Sequence, residues 1–142
     1  MNKVSDILAR KGDRSFSVGP DTSVLDALKL MAENNIGSVL VMKSGEYLGL
    51  VTERDYSRKV ILMGKHSVDT KVSEIMTANL PHVSPDDNID HCMELMTNGN
   101  IRYLPVFENN KLKAVISMTD VVKETIIRQQ QTISHLDNYI NS

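Results

Sequence analysis

Two short stretches of the sequence place a hydroxyl residue three positions before an aspartate, where an apolar run ends and a helix is expected to begin. The first holds Thr52 and Asp55 in "LVTERD", and the second holds Ser117 and Asp120 in "VISMTD". A carboxylate accepts hydrogen bonds from ribose hydroxyl groups, and hydroxyl and backbone N–H groups bind phosphate oxygens. These residue types therefore permit nucleotide binding at both places.

The same spacing also has a purely structural interpretation. A hydroxyl residue followed three positions later by an acid is typical of a capping box, in which each side chain accepts a hydrogen bond from the other residue's backbone N–H. Against this, a helix that starts after a buried strand offers N–H groups that attract anions and polar ligands. The duplication favours the ligand interpretation, and the capping interpretation stays open beside it.

The duplication extends through most of the chain. An offset of 65 positions that aligns Asp55 with Asp120 also aligns apolar, proline and asparagine positions: Val18 with Val83, Pro20 with Pro85, Asn35 with Asn100, Ile36 with Ile101 and Val41 with Val106. Upstream, "KVSDIL" at 3–8 reappears as "KVSEIM" at 71–76. Two copies are too few for a solenoid. The sequence therefore predicts a pseudo-symmetric pair of repeats that bury their apolar faces against each other.

Each copy shows the same succession of patterns. A short extended piece precedes a helix with apolar residues at the spacing of Val24, Leu28 and Met31, and asparagines then end that helix. Two apolar runs around a short Gly- or Asn-containing turn predict a β-hairpin, and its second strand leads into another helix. Each copy is thus predicted as strand–helix–strand–strand–helix, which places the chain in the mixed α/β (α+β) class.

The predicted boundaries are 1–62 for the first repeat, 63–70 for a polar linker, 71–125 for the second repeat and 126–142 for a C-terminal helical extension. The last helix carries apolar residues three, four or seven positions apart, with Gln129 filling one gap: Val122, Ile126, Ile133, Leu136 and Ile140. We expect this stripe to pack on the body of the protein or on a second subunit.

Composition narrows the classes of function. A net charge of −2 argues against a nucleic-acid surface, and no apolar run suggests a signal peptide or a membrane span. The single cysteine, Cys92, aligns with Ala27 and is expected in the core, and the four histidines lack metal-ligand spacing. No nucleophile–base pair or paired-carboxylate site is visible. We expect a cytoplasmic protein that is not an enzyme, without a metal, nucleic-acid or membrane partner.

The motifs "VSEIM", "GLVTERD", "AVISMTD" and "IRYLPV", taken in their order and duplication, resemble those of CBS domains. The chain resembles a stand-alone tandem pair, or Bateman module, of the small bacterial or organellar type. This resemblance implies a βαββα fold in each repeat, pseudo-two-fold packing, adenine nucleotides bound in clefts between the repeats, and a homodimer.

The resemblance also implies roles for particular residues. Asp55 and Asp120 would hold the ribose, and Thr52 and Ser117 would contact the ribose or the phosphate. The adenine would lie against an apolar set: Val18, Ile36, Gly37, Ser38, Val83, Ile101, Tyr103, Leu104 and Pro105. From residue type and position, further candidates for phosphate contact are Arg54, Thr119, Arg58, Lys59 and Arg102.

Two function hypotheses follow. The first is a regulatory sensor of adenine nucleotides, with AMP as the expected ligand and NAD or ATP as alternatives; the second is a purely structural module for dimerisation or interaction. The charges of the repeats differ, because Arg54, Arg58 and Lys59 align with Thr119, Lys123 and Glu124, so that only one of the three positions is basic in both repeats. We therefore expect two unequal sites.

Overall fold

The computed structural model describes residues 2–12 and 15–141. Its elements are, in chain order, α1 (Val4–Lys11), β1 (Ser17–Val18), α2 (Val24–Asn34), β2 (Ser38–Lys43), β3 (Glu46–Thr52), α3 (Glu53–Tyr56), α4 (Ile89–Gly99), β4 (Tyr103–Glu108), β5 (Lys111–Ser117) and α5 (Met118–Asn141). A π-helical turn, Ser57–Ile61, continues α3, and Val72–Glu74 form a 3₁₀ turn. The predicted mixed α/β class with a long C-terminal helix is confirmed.

The chain forms two compact units. The central unit is Ser15–Leu80, and the terminal unit combines Met1–Arg14 with Pro81–Ser142. Met1, where the predicted first repeat begins, and Ser142, where the predicted C-terminal extension ends, lie outside the described residues.

The compact units do not coincide with the sequence repeats, because the two copies of the V-S-acid-I segment are exchanged. Helix α1, at the start of the first repeat, packs in the terminal unit, where the Val4 N–H donates to the Asp87 carbonyl at 2.9 Å. The equivalent segment at the start of the second repeat packs in the central unit, where the Val72 N–H donates to the Thr22 carbonyl at 2.9 Å. The stretch predicted as a linker, 63–70, also belongs to the central unit.

Each unit contains one antiparallel hairpin. In the central unit β2 pairs with β3, and the short β1 joins β2 in parallel. In the terminal unit β4 pairs with β5, and the extended piece before α4 makes only a single parallel bridge, Val83 to Val106. The turns contain residues with positive φ, Ser44 and Gly45 in one hairpin and Asn109 and Asn110 in the other. This agrees with the turn chemistry expected from the sequence.

Two helices cover the hairpins with matching apolar faces. Helix α2 buries Val24, Ala27 and Met31, and α4 buries the aligned residues Ile89, Cys92 and Met96. Side chains of Ser23 and Asn88 cap their N-termini. Both helices end at an asparagine in the left-handed conformation, Asn35 and Asn100. The predicted stop signals are therefore confirmed.

A close backbone approach fixes one glycine in β3. Gly49 lies beside the bridge in which Leu50 and Thr77 exchange two backbone hydrogen bonds of 2.9 and 3.0 Å. A Cβ atom at Gly49 would lie 2.9 Å from the Thr77 carbonyl oxygen and 3.1 Å from the Met76 sulfur. Although Gly49 aligns with Ala114 in the other repeat, the central unit has no room for a side chain at position 49.

We predict that Gly49→Ala lowers the free energy of unfolding by about 1–3 kcal/mol, because the added methyl group must displace backbone at Thr77. Urea unfolding measures the loss. Gly19→Ala is the matched control, since the nearest atom to its new Cβ is 4.0 Å away and its φ is not positive. Equal stability of the Gly49 and Gly19 variants would contradict the prediction.

The buried Cys92 generates a second prediction. Burial, with a smaller contribution from Asp87, raises the pKa of its thiol to about 11. At pH 8 we expect folded Cys92 to react with a thiol reagent about 100-fold more slowly than in denaturant, because little thiolate forms. The raised pKa contributes stability that is complete below the unfolded value of roughly 8.5 and is lost as pH rises toward the folded value. Rapid labelling of native protein at pH 8 would show that the side chain is accessible.

Candidate functional site

The first junction, in the central unit, is a complete capping box. The Asp55 carboxylate accepts hydrogen bonds from the Thr52 N–H at 3.0 Å and from the Thr52 hydroxyl at 3.1 Å. In return, the Thr52 Oγ1 accepts from the Asp55 N–H at 3.1 Å. Thr52 is the last residue of β3 and has extended backbone angles, so the box fixes the direction in which the chain enters α3.

The second junction repeats this geometry in the terminal unit. The Ser117 N–H donates to the Asp120 carboxylate at 2.8 Å, and the Asp120 N–H donates to the Ser117 Oγ at 3.1 Å. The capping interpretation of the sequence is therefore confirmed at both places. It does not exclude a ligand, because a carboxylate has about four acceptor positions.

A lysine pairs with each aspartate, but the two lysines come from different elements. Lys59 lies in the π-helical turn after α3, and its Nζ is 3.0 Å from Asp55. Lys11 ends α1, and its Nζ is 2.8 Å from Asp120. Each lysine also donates to a backbone carbonyl of its own unit, of Ile75 and Val115 respectively.

The carboxylates of Asp55 and Asp120 differ in how many hydrogen-bond acceptor positions they leave free. Asp55 has an 11% exposed side chain and interacts with three residues through both oxygens: Thr52, Lys59 and Thr77, whose hydroxyl is 3.3 Å away. Asp120 is 17% exposed, and its contacts with Ser117 and Lys11 both use Oδ2. Asp120 is therefore the better free acceptor.

Three of the predicted adenine contacts lie beside the first junction. Ile36, Gly37 and Ser38 lead into β2, where Ser38 pairs with Thr52, and the Gly37 carbonyl accepts from the first N–H of α3 at 3.1 Å. These residues are half-buried, so part of their surface faces outward. The structure thus brings Asp55, the predicted ribose acceptor, and an apolar edge together within one unit.

The second junction is built in the same way. Tyr103 pairs with Ser117, and the Arg102 carbonyl accepts from the Met118 N–H at 2.8 Å. Ile101, Arg102 and Tyr103 therefore lie at the start of α5, beside Asp120. Ile101 and Tyr103 are half-buried, and Arg102 is exposed.

Other predicted adenine contacts are not brought to these junctions. Val18 pairs with Val41, which is three residues beyond Ser38 on β2. Val83 pairs with Val106, which is three residues beyond Tyr103 on β4. Val83 and Leu104 are buried in the core of the terminal unit, and Pro105 is also buried. The side chains of Val83, Leu104 and Pro105 therefore offer a ligand little surface, whereas Val18 is half-buried.

Comparisons with known proteins identify the family. The sequence pattern of the CBS domain matches residues 4–61 and 72–126. The chain belongs to the CBS-domain family. Both repeats described above are therefore CBS repeats, and a tandem pair of them is a regulatory module.

Relatives of this CBS pair are known from sequence and structure. The CBS domain-containing protein CBSX3, mitochondrial, of Arabidopsis thaliana is 36% identical over 146 residues, covering 96% of this chain and 71% of the relative. A solved CBS-domain protein from Burkholderia ambifaria MC40-6 is 44% identical, with a TM-score of 0.87 over 90% of this chain and 96% of that chain. The CBS domain pair of protein MJ0100, solved with 5′-methylthioadenosine and S-adenosyl-L-methionine, shares the fold at 23% identity and a TM-score of 0.76, over 87% of this chain and 94% of that one.

The basic candidates differ between the CBS repeats. Arg54 is half-buried on α3 and Arg58 is exposed in the following turn, whereas Lys59 is already paired with Asp55. In the other repeat, Thr119 is exposed in the first turn of α5. Whether these residues contact phosphate stays a prediction.

Glu124, the counterpart of Lys59, faces the interior of the terminal unit. Its side chain is 1% exposed and accepts hydrogen bonds from the Arg10 guanidinium at 2.8 and 3.1 Å and from the Asn2 amide. The hydrogen bond to Glu124 raises the pKa of Arg10 above its usual value. The aligned residues Lys59 and Glu124 therefore differ in location as well as in charge. Lys59 lies at the candidate site, and Glu124 lies in the core.

Sequence analysis missed two residues of the site, Lys11 and Thr77. Both lie in the exchanged segments, where repeat alignment places Lys11 against Asn79 and Thr77 against Ala9. Repeat symmetry therefore gave no signal for either residue. The contacts of Lys11 with Asp120 and of Thr77 with Asp55 follow only from the packing of each segment in the unit that holds the other repeat's hairpin.

The structure bears in two further ways on the predicted partners. Among residues 2–12 and 15–141, no three His, Cys, Asp or Glu side chains gather as ligands for a metal ion. Over the same residues, the helices are too short or too polar to cross a bilayer. A cytoplasmic location stays a prediction, and CBSX3 is described as mitochondrial.

We predict that Asp55→Asn lowers the free energy of unfolding by about 2 kcal/mol and Asp120→Asn by about 1 kcal/mol, because Asp55 loses more charged hydrogen bonds. Urea unfolding of both variants measures the difference. A larger loss for Asp120→Asn would mean that the partners of Asp55 contribute less than their geometry indicates.

Proposed function

We propose that this CBS pair is a regulatory module that binds an adenine nucleotide at its strand-to-helix junctions, with AMP as the preferred ligand. The observation that carries the proposal is the duplicated grouping of a carboxylate acceptor, a hydroxyl residue and a half-buried apolar edge, built at Asp55 and again at Asp120. The adenosine ligands of MJ0100 support this class of ligand, because AMP, ATP and NAD share the adenosine group with them.

Ribose recognition rests on the aspartates. A ribose diol donates two hydrogen bonds, and a carboxylate that keeps free acceptor positions takes both. Asp120, whose two contacts use one oxygen, is the more favourable acceptor. We therefore assign the tighter ribose site to the second repeat.

The paired lysines favour a nucleotide over a nucleoside. The ammonium of Lys11 has three N–H donors, and its contacts with Asp120 and the Val115 carbonyl use two of them, so the third can bind a phosphate group at the same site. Lys59 has the same relation to Asp55, with Arg54 and Arg58 on the same short helical segment. This extra positive charge favours a longer phosphate chain, as in ATP or NAD, at the first repeat.

A purely structural module is the second candidate. It is favoured by the two complete capping boxes, which stabilise the helix starts without any ligand. Under this hypothesis the aspartates only cap helices, and the CBS pair acts through contacts with a second copy or another protein. The two candidates differ in whether an adenylate binds at all.

Calorimetric titration with AMP separates them. We expect Asp120→Asn to weaken AMP binding about 10- to 100-fold, because hydrogen bonds between ribose and a charged carboxylate are lost. Asp55→Asn should weaken binding at the other site. 2′-Deoxy-AMP should bind the unmodified protein more weakly than AMP does, for the same reason.

The matched control is Asp87→Asn. Asp87 accepts a hydrogen bond from the Ser84 N–H at 2.8 Å, so it shares the capping geometry of Asp55 and Asp120 but lies outside both groups. AMP affinity should be unchanged in this variant. If no adenylate binds the unmodified protein, or if all three variants bind AMP equally well, the sensor proposal fails.

A further inference from the structure

The second junction takes its lysine from a different part of the chain than the first junction does. At the first junction, Lys59 lies four residues after Asp55 on the same helical segment. Four residues after Asp120 the chain has Glu124, and the lysine that pairs with Asp120 is Lys11 of α1. If α1 were detached, the second junction would therefore hold two carboxylates without the lysine that pairs with Asp120.

Glu124 by itself opposes the binding of an anion at this junction. Residues four apart lie on the same face of a helix, with about 5–6 Å between their Cβ atoms, so the carboxylates of Asp120 and Glu124 repel each other and a nearby phosphate group. With α1 in place the Glu124 side chain is 1% exposed, so its charge is compensated by protein partners and not by water. A phosphate group beside Asp120 therefore requires that a cation neutralises Glu124.

Helix α1 supplies that cation, and the next residue of the helix is Lys11. The Arg10 guanidinium donates to both oxygens of Glu124, at 2.8 and 3.1 Å, which is the bidentate geometry that orients an arginine most strongly. Because Arg10 and Lys11 are neighbours at the end of α1, this ion pair fixes the backbone from which Lys11 reaches Asp120. The same two contacts thus neutralise Glu124 and place the Lys11 ammonium at the junction.

Two further cations, Arg102 and Lys123, lie near this junction with exposed side chains. The cations of α1 have the advantage that each is held 2.8 Å from a carboxylate of α5, Arg10 at Glu124 and Lys11 at Asp120. An ordered side chain has already lost the conformational entropy that a mobile one loses when it binds a ligand. We therefore expect the cations of α1 to dominate the attraction of a phosphate group, with a smaller part from the others.

We propose that the docking of α1 and the binding of a nucleotide phosphate at the second junction stabilise each other, with Arg10 and Glu124 as positioning residues for Lys11. With α1 docked, the junction accepts a nucleotide. With α1 detached, it keeps Asp120 as its ribose acceptor but repels anions. This inference rests on the proposed nucleotide site, and it adds that the amino-terminal helix regulates whether that site takes a nucleotide or only a nucleoside.

The coupling is reciprocal, because a ligand that binds one arrangement more tightly shifts the population toward that arrangement by the same factor. AMP should therefore hold α1 in its docked position. Adenosine has no phosphate group for Lys11 to bind, so it should leave the docking of α1 unchanged.

Calorimetric titration with AMP and with adenosine tests the positioning role. All variants carry Asp55→Asn, so that the second junction is the tighter site. Arg10→Met should weaken AMP binding about tenfold and leave the affinity for adenosine unchanged, because only AMP uses the placed ammonium of Lys11. The matched control is Lys3→Met, which removes a cation about 10 Å away at the other end of α1 and should change neither affinity.

Hydrogen exchange of the unmodified protein tests the reverse direction and does not depend on the folding of a variant. AMP and adenosine are each added at the same multiple of their own Kd, so that both stabilise the whole fold equally. AMP should then slow the exchange of the backbone amides of 8–12 about tenfold more than adenosine does. The amides of α4, in the same unit, are the control and should be slowed equally by both ligands.

The outcomes separate this inference from the nucleotide site on which it rests. If the unmodified protein binds no adenylate, the site fails and the inference fails with it. If AMP binds but Arg10→Met weakens AMP and adenosine equally, or weakens neither, the coupling is wrong and the site stands. Equal slowing of the amides of 8–12 by AMP and adenosine would likewise overturn the coupling alone.

Discussion

The carboxylate at each strand-to-helix junction is the interaction on which the local structure depends. Asp55 and Asp120 each accept the N–H of the last strand residue, and each is paired with a lysine that also donates to a backbone carbonyl. One acidic group therefore fixes a strand end, a helix start and a lysine, which lies in the following turn for Asp55 and in helix α1 for Asp120. Because the same group is the proposed ribose acceptor, structural and ligand roles compete for the same oxygen atoms. Function at these sites must use the acceptor capacity that the fold leaves over.

Sequence periodicity accounted well for the hairpins and the covering helices. Local signals determine these elements: positive-φ residues such as Gly45 and Asn109 form the turns, and Asn35 and Asn100 end the helices. The composition of the units followed from packing between distant segments. The sequences of 3–8 and 71–76 do not predict in which unit each copy is buried, because both copies carry closely similar apolar residues. The compact units therefore differ from the predicted repeats at these two segments.

The candidate site was predictable to the same extent. Thr52, Ser117 and their aspartates followed from a local motif, and residues 36–38, 101 and 103 followed from the family resemblance. Strand pairing places Ser38 opposite Thr52 and Tyr103 opposite Ser117. Lys11 and Thr77 could not be found, because their contacts depend on the exchanged segments. The resemblance placed Leu104 and Val83 against the adenine, but both apolar side chains are buried in the core of the terminal unit. Exposure and hydrophobic type are separate properties, and a sequence motif reports only the second.

The exchange of segments has a consequence for how the molecule responds to nicking. The chain passes between the units twice, once before Ser15 and once at Leu80 and Pro81. A protease that cut only the first passage would leave both units covalently joined through the second. Helix α1 would then be held only by noncovalent contacts, among them those of its apolar side chains, of Arg10 with Glu124 and of Lys11 with Asp120. The amino-terminal fragment would behave as a bound peptide whose release exposes the carboxylate of Asp120.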